Sequence, residues 1–246
     1  MISLQKLSKS YANGKVRAVD DLTLHVRKGE IFGFIGPNGA GKTTTIKMIT
    51  GLLTPTEGAV LIDGVNMAKN PIAAKMKIGF VPDNHEIHDR LTGTEYLNFM
   101  GDVYGVPTEV RRRRIQKYLS MFGIEQVAGE LIRTYSHGMK QKLVLTGALL
   151  HTPPLWILDE PMVGLDPKSS ALLKEEMRSH TRAGHTVFFS THVLEVAEKL
   201  CDRIGIILGG KLVCVGTFEE LRAGSADSSL EEIFLKLTEE GGARNE

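Results

Sequence analysis

The stretch Ile31-Phe32-Gly33-Phe34-Ile35-Gly36-Pro37-Asn38-Gly39-Ala40-Gly41-Lys42-Thr43-Thr44-Thr45-Ile46-Lys47-Met48-Ile49 decides how the rest of the chain is read. Its first five residues are an apolar run that predicts a buried strand, and residues 44–49 predict a helix. Between them, Gly36 to Thr43 fits G-x-x-x-x-G-K-[ST] in the strand–loop–helix setting the motif requires. The glycines let the backbone curl, so that the N–H groups of Gly36, Asn38, Gly39, Ala40, Gly41 and Thr44 can face phosphate oxygens. A helix N-terminus adds partial positive charge. Lys42 is placed to reach the β- and γ-phosphates, and the Thr43 hydroxyl to ligate Mg²⁺. The expected ligand is a nucleoside triphosphate with its metal.

Length and composition bound the remainder. At 246 residues the chain can bury a sizeable core. Charged residues make up 24% and the formal net charge is +1, so there is no global electrostatic case for nucleic acid, and none is expected as a partner. The quartet Arg111-Arg112-Arg113-Arg114 lies in a helical stretch and is read as a solvated surface or a contact for an acidic protein partner. Cys201 and Cys214 fit neither a metal site nor a disulfide framework and are expected to be reduced core thiols of a cytosolic protein. His85 and His88 follow Pro82 in a loop-like stretch, where their spacing does not argue for a metal. The N-terminus lacks a signal-peptide apolar region, and no run of about 18 apolar residues suggests a membrane span.

Alternation of Ile2, Leu4 and Leu7, and again of Leu22, Leu24 and Val26, predicts two half-exposed antiparallel strands. Residues 54–58 read as a turn before a strand at 59–62, and another short strand is expected over 78–82. Helical signals then dominate: 95–104, 108–122 and 136–150. After them strands at 155–158, 186–189, 204–208 and 212–215 alternate with helices at 168–183 and 193–200. Such alternation indicates a mostly parallel sheet covered on both faces. The fold expected is therefore α/β, a P-loop NTPase with an antiparallel β part and an inserted helical lobe. The boundaries expected are a core of 1–90 and 153–223, a helical lobe of 91–152 and a C-terminal helical extension of 224–246, frayed from Gly241. That extension starts from the capping-box-like Ser229-x-x-Glu232.

The strand at Leu155 ends in Asp159-Glu160. Ligands of open α/β sheets gather at the carboxyl ends of strands. Asp159 is positioned to hold Mg²⁺, and Glu160 to orient or polarise the attacking water.

With these motifs in this order, the chain resembles the ATP-binding cassette (ABC) ATPases over nearly its whole length. Gly164-Leu165-Asp166-Pro167 looks like that family's D-loop, and Ser190-Thr191-His192 like its switch-histidine loop. Tyr11 stands where the family has an aromatic that stacks on adenine. The resemblance implies ATP as the nucleotide and places Glu160 and His192 in catalysis, with Asp166 beside the nucleotide. It also implies a head-to-tail dimer in which Ser136 and Gly138 of one copy face the γ-phosphate bound to the other.

Two places depart from the family pattern. The signature, usually Leu-Ser-Gly-Gly-Gln, reads Tyr135-Ser136-His137-Gly138-Met139-Lys140-Gln141, and His137 is expected to add a hydrogen-bond donor near the phosphate. Asp83 replaces a glutamine that serves the metal and its water; it can still supply an oxygen ligand to Mg²⁺ or stay out of the site. The signature variant and the ending Leu230 to Leu237 are similar to a branch of bacterial ATPase subunits of exporters, which implies a separate membrane permease and a place on the cytoplasmic face of the membrane. An ABC ATPase working on a ribosomal, DNA or regulatory complex is the competing expectation, with a P-loop kinase third. One phosphate loop and no long coiled-coil insertion weigh against the former, and the Ser136–Gly138 signature against the latter.

Overall fold

A computed structural model describes residues 1–84, 87–222 and 229–242. The apolar run before the phosphate loop forms β3 (Ile31–Ile35), every residue of which is buried. It lies inside a six-stranded sheet with β6 (Ile78–Val81), β7 (Leu155–Asp159), β8 (Thr186–Thr191), β9 (Arg203–Leu208) and β10 (Lys211–Gly216), in the order β10-β9-β3-β8-β7-β6. All pairings are parallel except that of β9 with β10, the hairpin anticipated around Gly209-Gly210.

The uniformly apolar strands still sort their side chains by pleat. Leu155, Ile157 and Phe188 enter one apolar cluster, and Trp156, Leu158, Val187 and Phe189 enter another. This period of two is why both faces need covering. The first face carries α1 (Lys42–Ile49) and a second, four-stranded antiparallel sheet. That sheet contains β1 (Ile2–Tyr11), β2 (Val16–Val26), β4 (Glu57–Ile62) and β5 (Val65–Asn66), ordered β2-β1-β4-β5. Ile2, Leu4, Leu7, Leu22, Leu24 and Val26 all point into this cluster, where Phe32 and Phe188 stack at 5.7 Å.

The second face carries the inserted helices α3 (Gly93–Val103), α4 (Thr108–Phe122) and α5 (His137–Leu149), together with α6 (Pro167–Arg182). Between β8 and β9 runs α7 (Leu194–Leu200). After β10 comes the short α8 (Phe218–Leu221), and the C-terminal α9 (Leu230–Gly242) buries Leu230 against Ala197, Ile204 and Ile206.

The differences from the sequence reading have local causes. Strand β4 starts at Glu57, inside the expected turn, because Gly58 adopts φ +86° and has no Cβ to strike the Lys6 carbonyl oxygen of β1. Helix α1 starts at Lys42, two residues early, on an N-cap glycine at φ +106°. Helix α3 starts at Gly93 because Thr92 and Glu95 form a reciprocal capping box, 3.2 and 2.8 Å. A short helix α2 (Pro71–Lys75), capped by Asn70, and the two-residue β5 carried no periodic signal. Residues 241 and 242 continue α9; the rest of the tail expected to fray, like His85, lies outside the described residues.

Only part of the arginine quartet is a solvated surface. At 100° per residue, positions 111 and 114 share one helix face. Arg111 is buried, with Nη2 donating to Asp102 at 2.5 Å and to the Val106 carbonyl, and Nη1 to the Asn98 carbonyl. Gly101 supplies the room, since a Cβ there would run into the guanidinium. Arg114 donates to the Leu150 carbonyl at 2.6 Å, tying α4 to the end of α5. Arg112 and Arg113 stay outside.

Two enclosed histidines make the fold acid-sensitive. The His180 ring bonds the Pro153 carbonyl at 2.9 Å and packs on Trp156 and His185. The His151 ring stacks on Tyr104 at 3.7 Å. Burial pushes both down from the ordinary 6.5 to about 4. The unfolded chain therefore takes up protons near pH 6.5 that the folded chain refuses until about pH 4, so stability is lost as pH falls through that window. Denaturant unfolding between pH 7.5 and 5 is expected to show a loss on the order of 2 kcal/mol per histidine. His180→Gln should flatten part of that slope, and an unchanged slope would remove His180 from the explanation.

Candidate nucleotide site

The site is assembled by strand ends. In parallel register Ile35 pairs with Thr191 and Asp159 pairs with Ser190. The residues that follow, Gly36, His192 and Glu160, therefore emerge side by side at the carboxyl edge of the sheet. The loop from Gly36 to Gly41 fits there only as glycine at key points. A Cβ on Gly36 would collide with the Ile207 carbonyl, and one on Gly41 would lie 2.5 Å from the Ala18 carbonyl. Gly39 and Gly41 have φ +78° and +106°. Asn38, Gly39, Gly41, Lys42, Thr43 and Thr44 line a cleft of about 200 Å³ that Asp83 and Glu160 also border. Gly36 and Ala40 belong to the same loop but are not among the described residues that line the cleft.

Lys42 is buried at the floor of this cleft. Its Nζ donates to the Gly36 carbonyl at 2.7 Å and the Pro37 carbonyl at 3.3 Å, and lies 3.5 Å from Glu160 Oε1. The other oxygen of Glu160 is 3.0 Å from His192 Nδ1. Glu160 itself sits at φ +49°, an uncommon conformation for a residue with a Cβ. What holds it there is Ser190, whose hydroxyl accepts the Glu160 N–H at 3.1 Å and donates to Asp159 Oδ1 at 2.5 Å. Ser190 is fully buried, and sequence reasoning gave it no role of its own. Its one available signal was its place immediately before Thr191-His192 at a strand end.

Asp159 is almost fully enclosed. Burial pushes its carboxyl up; the hydroxyls of Ser190 and Thr43 pull it back, and the charges of Asp83 and Glu160 raise it further. Three carboxylates, Asp83, Asp159 and Glu160, thus gather around the Lys42 end of the cleft. This excess of negative charge and hard oxygen donors, with the Thr43 hydroxyl, fits a divalent cation such as Mg²⁺.

The remaining residues named from the sequence fall into two other places. Tyr11 ends β1, is 42% exposed, and carries Lys9 Nζ 5.5 Å above its ring. Ser136 caps α5, its hydroxyl accepting the Met139 N–H at 3.3 Å. Neither Ser136 nor Gly138 is among the described residues lining the cleft of their own chain. Asp166 caps α6 by accepting from Ser169 N and Oγ at 2.8 and 2.7 Å, and pairs with Lys142 at 2.9 Å.

A second, larger cavity of about 710 Å³ opens beside the first, between α1 and the inserted helices. Thr43 and Asp83 line both cavities and Asp159 lines the larger one, where Leu52 and Phe99 leave apolar side chains exposed. No helix among the described residues is long and apolar enough to cross a membrane.

Residues 19–163 match the family described as ABC transporter. The chain is 39% identical over 221 residues to the linearmycin resistance ATP-binding protein LnrL of Bacillus subtilis, covering 90% of this chain and 70% of that one. Among solved structures, an ATP-binding subunit of an ABC transporter superposes with a TM-score of 0.92 at 34% identity, over 97% of this chain and 99% of the other. An ATP-binding cassette in a dimeric post-hydrolysis state with ADP and Pi superposes at 0.80 and 28% identity, over 88% and 98% of the two chains. The glycine-lined cleft, the Asp159-Glu160 strand end and the inserted helices have the same origin as these similarities: the chain belongs to the ABC transporter family, as one of its ATP-hydrolysing subunits.

Proposed function

We propose that this ATPase powers an exporter, working as a head-to-tail pair of copies on a separate membrane permease at the cytoplasmic face of the membrane. The observation that carries this reading is that Ser136 and Gly138, at the N-terminus of α5, are not among the described residues that line the cleft of their own chain. A second copy, turned about a two-fold axis, would bring them to the open side of the phosphate cleft. The dimeric arrangement of the post-hydrolysis relative supports that pairing. LnrL, named for resistance, supports outward movement. The exposed apolar side chains of the larger cavity, Leu52 and Phe99, offer a seat for a helix of the permease.

In this reading the backbone N–H groups of the loop and Lys42 hold the phosphates of ATP, and Tyr11 stacks on adenine. Thr43, Asp159 and Asp83 would hold Mg²⁺, which neutralises charge on the phosphates when bound. Glu160 orients the attacking water, and His192 fixes the Glu160 carboxylate while facing the γ-phosphate. Asp166 keeps its loop at the dimer face. Residues 91–152 serve as the lobe that carries closure of the pair to the permease.

Three outcomes follow from these roles. With ATP and Mg²⁺, Glu160→Gln should give a dimer on size-exclusion chromatography that hydrolyses about 10²–10⁴-fold more slowly; a persistent monomer would sink the shared-site reading. Ser190→Ala should leave ATP binding in place and cut kcat roughly tenfold, because Glu160 loses the hydroxyl that holds its backbone and Asp159 loses a hydrogen bond worth about 2 kcal/mol. A wild-type kcat would show that the φ +49° turn at Glu160 needs no such support. Asp83→Ala should raise the Mg²⁺ concentration for half-maximal turnover, while Asp83→Gln restores it; equal demand in all three would take Asp83 out of the metal's shell.

A further inference from the structure

The turn from Glu160 to α6 is held by the start of α5 at successive points. Gln141 is buried and its Nε2 donates to the Pro161 carbonyl at 2.9 Å. Lys142 pairs with Asp166 at the other end of the turn, 2.9 Å. Between these, the two backbones come so close that a Cβ on Gly138 would lie 2.7 Å from the Gly164 carbonyl. At the centre the His137 ring lies flush against Gly164: a Cβ there would sit 2.5 Å from His137 Cδ2 and 3.0 Å from Nε2. Gly164 is at φ +78°, so it supplies both the left-handed turn and the vacancy for the ring. Residue 137 is the first of the helix and Ser136 its cap, so whatever the ring touches also sets the orientation of the α5 N-terminus.

We propose that His137 is a positioning residue, acting as a ring-shaped spacer that seats the 161–166 turn on the N-terminus of α5. It thereby ties the face offered to a second copy to the backbone carrying Glu160. This rests on the shared-site reading above. It differs from the expectation that His137 serves as a donor to the phosphate, and the observation behind it is the ring's close approach to Gly164. Loss of the ring leaves a gap over Gly164, and the turn gains freedom between its two end fastenings, Gln141 and Lys142.

Steady-state ATP hydrolysis by the intact chain tests this. His137→Gly should lower kcat about fivefold while the KM for ATP moves less than about twofold, since the phosphate loop of the same chain is untouched. His137→Phe, which keeps a flat ring and has no donor, should recover most of that loss, and His137→Gln should not. Rescue by Gln and failure of Phe would establish the donor and overturn the spacer; a wild-type kcat in His137→Gly would overturn it too. Gly164→Ala provides a second route. Its left-handed backbone cost is common to both backgrounds and cancels in a double-mutant cycle with His137→Gly, leaving the collision of the methyl with the ring as a coupling. Additive effects would overturn the contact. Dimer trapping by Glu160→Gln separates the two levels: trapping with an inert His137→Gly removes the spacer alone, whereas no trapping removes the shared site and the spacer with it.

Discussion

The parallel register of β3, β8 and β7 is the constraint on which the rest of the molecule depends. Because Ile35 is level with Thr191, and Ser190 with Asp159, three loops start from one line. A slip of a single residue in any of these strands would turn its side chains to the opposite face and withdraw its loop by about 3.3 Å. The apolar pleat resists this. Phe188 must stay in the cluster with Phe32 and Ile157, while Phe189 must stay with Trp156 and Leu158. Packing on both faces therefore fixes a registry that the polar site alone could not enforce. The bond from Ser190 to Asp159 and Glu160 is its last link, one hydroxyl serving two neighbours across a strand pair.

The features that could be read from the sequence are those written in local pattern. The phosphate loop is legible because its glycines answer to steric demands that no other residue meets, as the carbonyls of Ile207 and Ala18 show at Gly36 and Gly41. The core strands are legible because burial on both faces leaves an unbroken apolar run. What escaped was set by contacts between distant segments. Arg111 looked like one of four surface arginines until the turn of α4 and the missing Cβ of Gly101 placed it inside. Ser190 is an ordinary polar residue at a strand end, and only the register makes it a bridge. The role of His137 depends on Gly164, 27 positions along the chain by their numbering, and a deviant signature motif gave no sign of that partner.

Charge arrangement explains why the cleft is built to be filled. Lys42 spends its donors on the loop's own carbonyls and faces Glu160, while Asp159 is enclosed and Asp83 borders the same space. Burying carboxylates without compensation is costly. The hydroxyls of Thr43 and Ser190 reduce that cost at Asp159 but bring no charge. The imbalance is therefore local, since the chain as a whole carries only +1. In the proposed function, a nucleotide adds negative charge beside these carboxylates and a divalent metal bound with it would offset that charge. The same logic bears on Glu160. Lys42 on one oxygen and His192 on the other fix its orientation. A phosphate that draws Lys42 away leaves that carboxylate to His192 and to whatever water lies before it. In the proposed function, binding and activation of the water are thus coupled through one shared lysine.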